Sequence, residues 1–126
     1  MSTPVDFIAA LTRIVGPQAC LTEAADTVGY TTDYRKLYRG DALAVVLPAS
    51  TEEVSQVMAL CHAHAVRVVP QGGNTSLMGG AVPEPNSGAI VLNLRRMNRV
   101  LAVDTVNDTL TQIGRASCRE RVCVSV

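Results

Sequence analysis

Between Ala42 and Val69 the chain sets two short apolar runs around one amphipathic stretch, an order that leaves few folds open. Ala42 to Leu47 is apolar and stops at Pro48, as suits a buried strand whose exit is fixed by the locked φ of proline. Ser50-Thr51-Glu52-Glu53 has the capping-box pattern, with Ser50 and Glu53 placed to satisfy orphan backbone donors at a helix start. Val54, Val57, Met58 and Cys61 then mark one helical face, which predicts a helix from Thr51 to near His64. Val66 to Val69 predicts a second strand. Strand, helix and strand in this order make a β-α-β unit, whose crossover is right-handed if its strands lie parallel in one sheet.

The flanks are consistent with a mixed fold. Thr3-Pro4-Val5-Asp6 predicts a helix start, with a hydroxyl cap and proline at the first helical position. Phe7, Ile8, Leu11, Ile14 and Val15 recur at helical spacing until Gly16-Pro17 ends the run. From Gln18 to Asp41 the pattern loosens into a polar connection for which no regular structure is predicted. Ala89 to Leu94 predicts a strand, Arg95 to Asn98 a polar turn, Val100 to Val103 another strand, and Thr109 to Gln112 the start of one more. No internal repeat appears, so the pattern is α+β or α/β and not a solenoid.

Composition bounds the partners. A chain of 126 residues, 48% of them hydrophobic, buries one modest core and has no room for a second domain. Eleven basic residues balance eleven acidic ones, so no overall field draws the chain to nucleic acid or to an anionic membrane. Met1 to Asp6 has no basic leader pattern and no apolar run is long enough to span a bilayer, so a cytoplasmic protein is expected. The four cysteines show no Cys-x-x-Cys or zinc spacing, and no metal ligand is expected. His62 and His64 fall near a helix end, where they suit the dipole better than a metal or acid–base role. Met58, Met78 and Met97 are expected to be packing residues.

The chemistry lies in Pro70-Gln71-Gly72-Gly73-Asn74-Thr75-Ser76-Leu77-Met78-Gly79-Gly80, directly after the second strand. Four glycines in nine positions cost more conformational entropy than a structural turn requires, so something is expected to come close to this backbone. Gly72, Gly73, Gly79 and Gly80 let main-chain N–H groups converge on an anion, while Asn74, Thr75 and Ser76 add short polar groups around it. A diphosphate fits that description. No Gly-Lys-Ser/Thr follows, which excludes a P-loop, and Gly-x-Gly-x-x-Gly is absent, which excludes the Rossmann fingerprint. The competing reading of the same residues is a wide surface loop with no ligand.

Val69 to Pro83, VPQGGNTSLMGGAVP, closely resembles the FAD-binding signature of the D-2-hydroxyacid dehydrogenase flavoenzymes, which include D-2-hydroxyglutarate dehydrogenase, D-lactate dehydrogenase and the glycolate oxidase flavin subunit. Pro48 to Ser55, PASTEEVS, is similar to that family's strand-proline-helix passage, and Leu92 to Val100, LNLRRMNRV, to its strand and turn beyond the loop. The resemblance implies an α+β fold, the N-terminal part of the two-subdomain FAD-binding domain of the vanillyl-alcohol oxidase or p-cresol methylhydroxylase (PCMH) type. It assigns cofactor binding to Pro48 by the adenine end, to Pro70, to Gln71, Gly72, Gly73, Asn74, Thr75 and Ser76 around the pyrophosphate, and to Gly79 and Gly80 further along the cofactor. Some related flavoproteins carry a histidine here that bonds to the flavin; Gly73-Asn74-Thr75-Ser76 has none, so non-covalent FAD is expected. Ser76 stands where relatives often have glycine, which bears on the local backbone angle and leaves the anion site intact. Tyr30, Tyr34 and Tyr38 either cover a flavin face or belong to the core. Arg95, Arg96 and Arg99 read as a solvated turn before they read as a contact for phosphate or a carboxylate, and the resemblance gives them no part in catalysis.

The same resemblance implies that the complete protein oxidises a small D-2-hydroxy acid to a 2-oxo acid and passes electrons to an acceptor the residues do not identify. Another alcohol substrate on the same cofactor domain, or a non-catalytic fragment acting as a small binding module, are the other readings. The family's catalytic and metal-binding residues are expected downstream, so none is assigned in this chain. After Gln112 the resembling proteins continue with a glutamate-alanine-glycine strand and turn. Here Ile113 to Val122 reads IGRASCRERV, similar to a translated sequencing adapter, and its three arginines and cysteine break the β pattern begun at Thr109. The expected organisation is an N-terminal helix and connection over 1–40, a truncated FAD-binding domain over 41–112 and a non-native tail over 113–126.

Overall fold

The computed structural model describes residues 4–113, so the expected cap Thr3 and the tail from 114 onward lie outside the described residues. Helix α1 spans Pro4–Val15, the predicted extent, and a 3-10 turn at Pro17–Ala19 leads into β1 at Cys20–Leu21. Helix α2 (Ala24–Thr31) follows, in the stretch for which no regular structure was predicted. Then come β2 (Ala44–Val46), α3 (Thr51–Ala63), β3 (Val68–Gln71) and β4 (Ile90–Asn93), and after them the hairpin strands β5 (Val100–Asp104) and β6 (Thr109–Gln112). The fold is α+β, as expected.

The first four strands form one sheet in the order β1-β2-β4-β3, with β1 antiparallel to β2 and the other three parallel. The expected β-α-β unit is present as β2-α3-β3, its two strands parallel in one sheet but separated by β4. Strand β3 begins and ends two residues later than predicted and takes in Pro70. An edge strand tolerates a residue without an N–H, which is why this proline does not end it.

Helix α3 starts as its capping pattern requires: the Ser50 hydroxyl accepts from the main-chain N–H of Glu53 at 3.2 Å. The Glu53 carboxylate reaches one residue further back than in the standard box and accepts from the N–H of Ala49 at 2.7 Å. On its inner face Val57 and Cys61 are buried, with Val54 and Leu60 packed beside them. Met58 sits at the margin of that stripe and is 45% exposed, and Met78 is 83% exposed, so neither is the packing residue expected; Met97 is buried as expected.

Phe7, Leu11 and Val15 of α1 meet Val57 and Cys61 of α3 over Ala44, Val46, Ile90 and Leu92 of the sheet, which forms the main core. Val45 and Val91, whose side chains alternate to the opposite face, have no exposure either. Cover on both faces is what a parallel sheet requires. Cys20 and Cys61 are free thiols within this core, and burial pushes both up from the usual cysteine range. The ring of His64, at the end of α3, lies 5.2 Å from that of Phe7, a packing contact that the sequence reading, which placed it by the helix dipole, did not include. Among the described residues no helix is long and apolar enough to cross a membrane, and no group of three metal-capable side chains occurs.

Candidate cofactor-binding site

Because β2, β4 and β3 are parallel, their C-terminal ends share one edge of the sheet, the edge where ligands bind in open α/β arrangements. There Gln71, the last residue of β3, pairs with Asn93, the last residue of β4. The chain leaves β3 through the glycine-rich loop and leaves β4 through the turn at Leu94 to Asn98. Between these exits opens a cavity of about 560 Å³, lined by Gln71, Gly72, Gly73 and Asn74 on one side, Asn93 and Arg95 on the other, and Gly29 and Tyr30 of α2 across the mouth.

Its floor is a closed polar network. The Gln71 amide nitrogen donates to the carbonyl oxygens of Tyr30 at 2.8 Å and Ala81 at 2.7 Å. Its oxygen accepts from Asn93 Nδ2 at 2.8 Å, and Asn93 Oδ1 accepts from the N–H of Arg95 at 3.0 Å. Gln71 and Asn93 are both buried, so each polar atom needs such a partner. Both amide hydrogens of Gln71 are thereby committed to protein, and this side chain acts as a strut beneath the site.

Asn74 performs a related task. Its side-chain nitrogen donates to Thr32 O at 2.8 Å and to Gly29 O at 3.3 Å. Together with Gln71 it caps carbonyls at the C-terminal end of α2 that the helix cannot satisfy itself. Capping matters electrically, since bare carbonyl oxygens at the mouth would repel an anion. The Asn74 side-chain oxygen is buried without a protein partner. Its backbone has φ 52, the left-handed region that asparagine tolerates best after glycine. The backbone departure considered for Ser76 therefore falls at Asn74 instead, while the Ser76 hydroxyl accepts from the N–H of Met78 at 3.4 Å.

The lining suits an anion. Among the described residues the main-chain N–H groups of Gly72, Gly73 and Asn74, which line the cavity, have no acceptor within the protein, and neither has that of Thr75 just beyond it. A left-handed residue inside such a run turns successive N–H groups toward one side, the geometry of an anion nest. Among the described residues no carboxylate lines the cavity, and the one charged side chain there is Arg95. Residues of this kind fit the diphosphate of a dinucleotide, supplying free main-chain donors and a positive charge and, among the described residues, no repelling acid.

Of the residues expected to bind cofactor, the structure brings Gln71, Gly72, Gly73 and Asn74 together at this cavity. Pro48 is fully buried at the end of β2 and does not line it. Pro70 and Gly80 line a separate hollow of about 300 Å³ beside the edge strand, while Thr75, Ser76 and Gly79 continue the loop beyond the cavity. The sequence reading left out Gly29 and Asn93, left Tyr30 open between a flavin face and the core, and read Arg95 first as part of a solvated turn. For Arg95 a signal existed, in its place two residues beyond the end of a strand parallel to the one that feeds the loop. Tyr30 carries elements of both expected roles, packed against the core and exposed to the cavity.

A second loop braces the first. A Cβ at Gly79, which has φ 73, would stand 2.9 Å from the ring of Tyr38, so the tyrosine packs directly on that glycine. Tyr38 is held in turn by Asp33, a buried carboxylate that accepts from the N–H groups of Tyr38 at 2.8 Å and Arg35 at 3.1 Å. The hydrogen bond from Tyr38, assisted by those from its neighbours, holds the Asp33 carboxyl below the usual carboxylate range. A depressed folded-state pKa contributes stability that is present above the unfolded value of about 3.9 and is lost as pH falls through the folded one. The 33–38 loop is therefore expected to loosen in acid before the core does. A fall in the protection factor of the Tyr38 amide below about pH 4, absent in Asp33→Asn, is the expected signature, and identical pH profiles for the two proteins would contradict it.

Residues 42–112 match the family model described as FAD binding domain. The chain is 41% identical over 104 residues to a D-2-hydroxyglutarate dehydrogenase of Xanthomonas citri pv. viticola, an alignment covering 82% of this chain and 22% of that protein. It is 40% identical over 87 residues to the mitochondrial D-2-hydroxyglutarate dehydrogenase of Arabidopsis thaliana, covering 69% of this chain and 15% of the relative. In structure it is similar to p-cresol methylhydroxylase with substrate bound, at a TM-score of 0.68 and 20% identity over 79% of this chain and 20% of that one, a likeness of fold alone. The chain thus spans about a fifth or less of the length of the relatives it matches. With an anion-suited cavity beside its glycine-rich loop and a family model matched over most of its described length, the chain belongs to the FAD binding domain family.

Proposed function

We propose that this chain forms the diphosphate-gripping part of an FAD-dependent oxidoreductase that oxidises a D-2-hydroxy acid to a 2-oxo acid. The observation that carries the reading is the cavity itself, where unpartnered N–H groups of the glycine-rich loop face an arginine across the C-terminal ends of two parallel strands. Kinship with two enzymes named for D-2-hydroxyglutarate supports the substrate class. FAD, when bound, supplies the hydride-accepting ring. The work of this chain is to bind and orient: Gly72 to Ser76 hold the diphosphate by main-chain donors, Gln71 and Asn93 fix the floor, and Gly79 and Gly80 keep the following turn low enough for the cofactor to pass. Pro70 lines the adjoining hollow, and Pro48 acts from within the core by fixing the exit of β2. Binding is non-covalent, since no histidine stands between Gly73 and Ser76.

In this reading 41–112 is the cofactor-binding portion, 1–40 an N-terminal helix and connection that braces it, and 113–126 a non-native tail. Catalytic residues, any metal ligands and the electron-acceptor contact belong to a longer protein. A cytoplasmic location belongs to the same proposal, although several relatives are named as mitochondrial. The test is to purify the full-length protein and assay it. It is expected to be yellow, to release FAD on denaturation, and to turn over D-2-hydroxyglutarate, D-lactate or glycolate. A colourless protein that takes up no FAD would overturn the cofactor reading, and a flavoprotein inert toward all three acids would move the substrate to another alcohol.

A further inference from the structure

We propose that Arg95 is an electrostatic anchor for the diphosphate of the bound dinucleotide and that Tyr30 is its positioning residue. This rests on the FAD reading above and extends it to two side chains outside the glycine-rich loop, one of them N-terminal to the matched region 42–112. Three consecutive features of the turn after β4 point the same way. The main chain of Arg95 is tied to the cavity floor by its bond to Asn93 Oδ1 at 3.0 Å. Its guanidinium is drawn over the cavity by a bond from Nη1 to the Tyr30 hydroxyl at 2.6 Å. The next residue, Arg96, turns away and donates to Leu47 O at 2.8 Å, so of these adjacent cations only Arg95 is committed to this wall.

A guanidinium has five N–H donors, and the bond to Tyr30 uses one of them. The Tyr30 hydroxyl accepts that bond and keeps its own proton for donation. Both residues line the same cavity as Gly72, Gly73 and Asn74, and among the described residues no carboxylate lines it to neutralise the arginine. The loop brings dipoles only. A diphosphate carries formal negative charge, and a planar fork of donors meets phosphate oxygens with charge and geometry together.

The experiment uses full-length protein freed of flavin and titrated with FAD, ADP and riboflavin, the first two having a diphosphate and the third none. Arg95→Gln is expected to weaken FAD and ADP about 10- to 100-fold while riboflavin changes by less than about two-fold. The salt dependence of FAD affinity is expected to flatten in the same variant and to persist in Arg95→Lys. Tyr30→Phe is expected to give a smaller loss confined to FAD and ADP. FAD affinity and salt dependence unchanged in Arg95→Gln would overturn this inference alone, as would an equal loss for all three ligands, which marks damage to the fold. If the unaltered protein binds neither FAD nor ADP, the proposed function falls and the role of Arg95 falls with it.

Discussion

Gln71→Leu is expected to lower stability by about 3 kcal/mol, from two orphaned carbonyls and one half-satisfied amide at roughly 1 to 3 kcal/mol each. Leucine fills a similar volume, so packing changes little, but the carbonyls of Tyr30 and Ala81 lose this partner and the Asn93 side-chain nitrogen keeps only its bond to Gly72 O at 3.3 Å. Those partners lie on α2, on the far end of the glycine-rich loop and on β4, so the change disconnects three walls of the cavity. Urea denaturation of full-length protein measures the first effect. Hydrogen exchange over residues 72–75 is expected to accelerate as the floor opens, with a parallel fall in FAD affinity. Denaturation within about 0.5 kcal/mol of the unaltered protein would mean that water replaces the amide without loss, and that Gln71 is no strut.

Gly40→Ala is expected to be nearly as damaging, for a purely steric reason. A Cβ at Gly40 would overlap the carbonyl oxygen of Pro83 and stand 2.8 Å from its carbonyl carbon, with the carbonyl carbon of Glu84 at 3.1 Å. All three are main-chain atoms that no rotamer change can move aside. The Gly40 N–H is also tied to Thr31 O at 2.9 Å, so the glycine cannot simply withdraw. Overpacking of this kind costs about 1 to 3 kcal/mol, more when backbone must shift. The thermal midpoint of Gly40→Ala is the measurement. A midpoint equal to that of the unaltered protein would show that the Pro83–Glu84 segment yields freely.

Much of this architecture is legible in the residues because local and tertiary preferences agree. In α1 the spacing of Phe7, Leu11 and Val15 is the spacing that the sheet buries. In α3 Ser50 and Glu53 mark the start before any packing is considered. Strand β1 escaped notice because two residues, Cys20 and Leu21, are too few to show alternation. Helix α2 escaped because Thr27, Gly29 and Thr31 weaken its intrinsic propensity and its end has no glycine stop. What ends α2 is supplied from far along the chain by Gln71 and Asn74, and no window of local sequence contains the helix together with these residues. The candidate site divides in the same manner. The glycine-rich loop announces itself, whereas Tyr30 and Arg95 meet across 65 residues and only the folded sheet brings them together.

The bonds from the loop to the end of α2 span 41, 42 and 45 residues of sequence, from Gln71 to Tyr30, from Asn74 to Thr32 and from Asn74 to Gly29. Contacts of such separation carry a loop-closure penalty that local turns escape, and they form slowly for that reason. The nest of donors is consequently unable to set early in folding: its geometry waits until the N-terminal third has docked. A ligand held there would act on the kinetics of the chain as well as its equilibrium, slowing the release of whatever closes last.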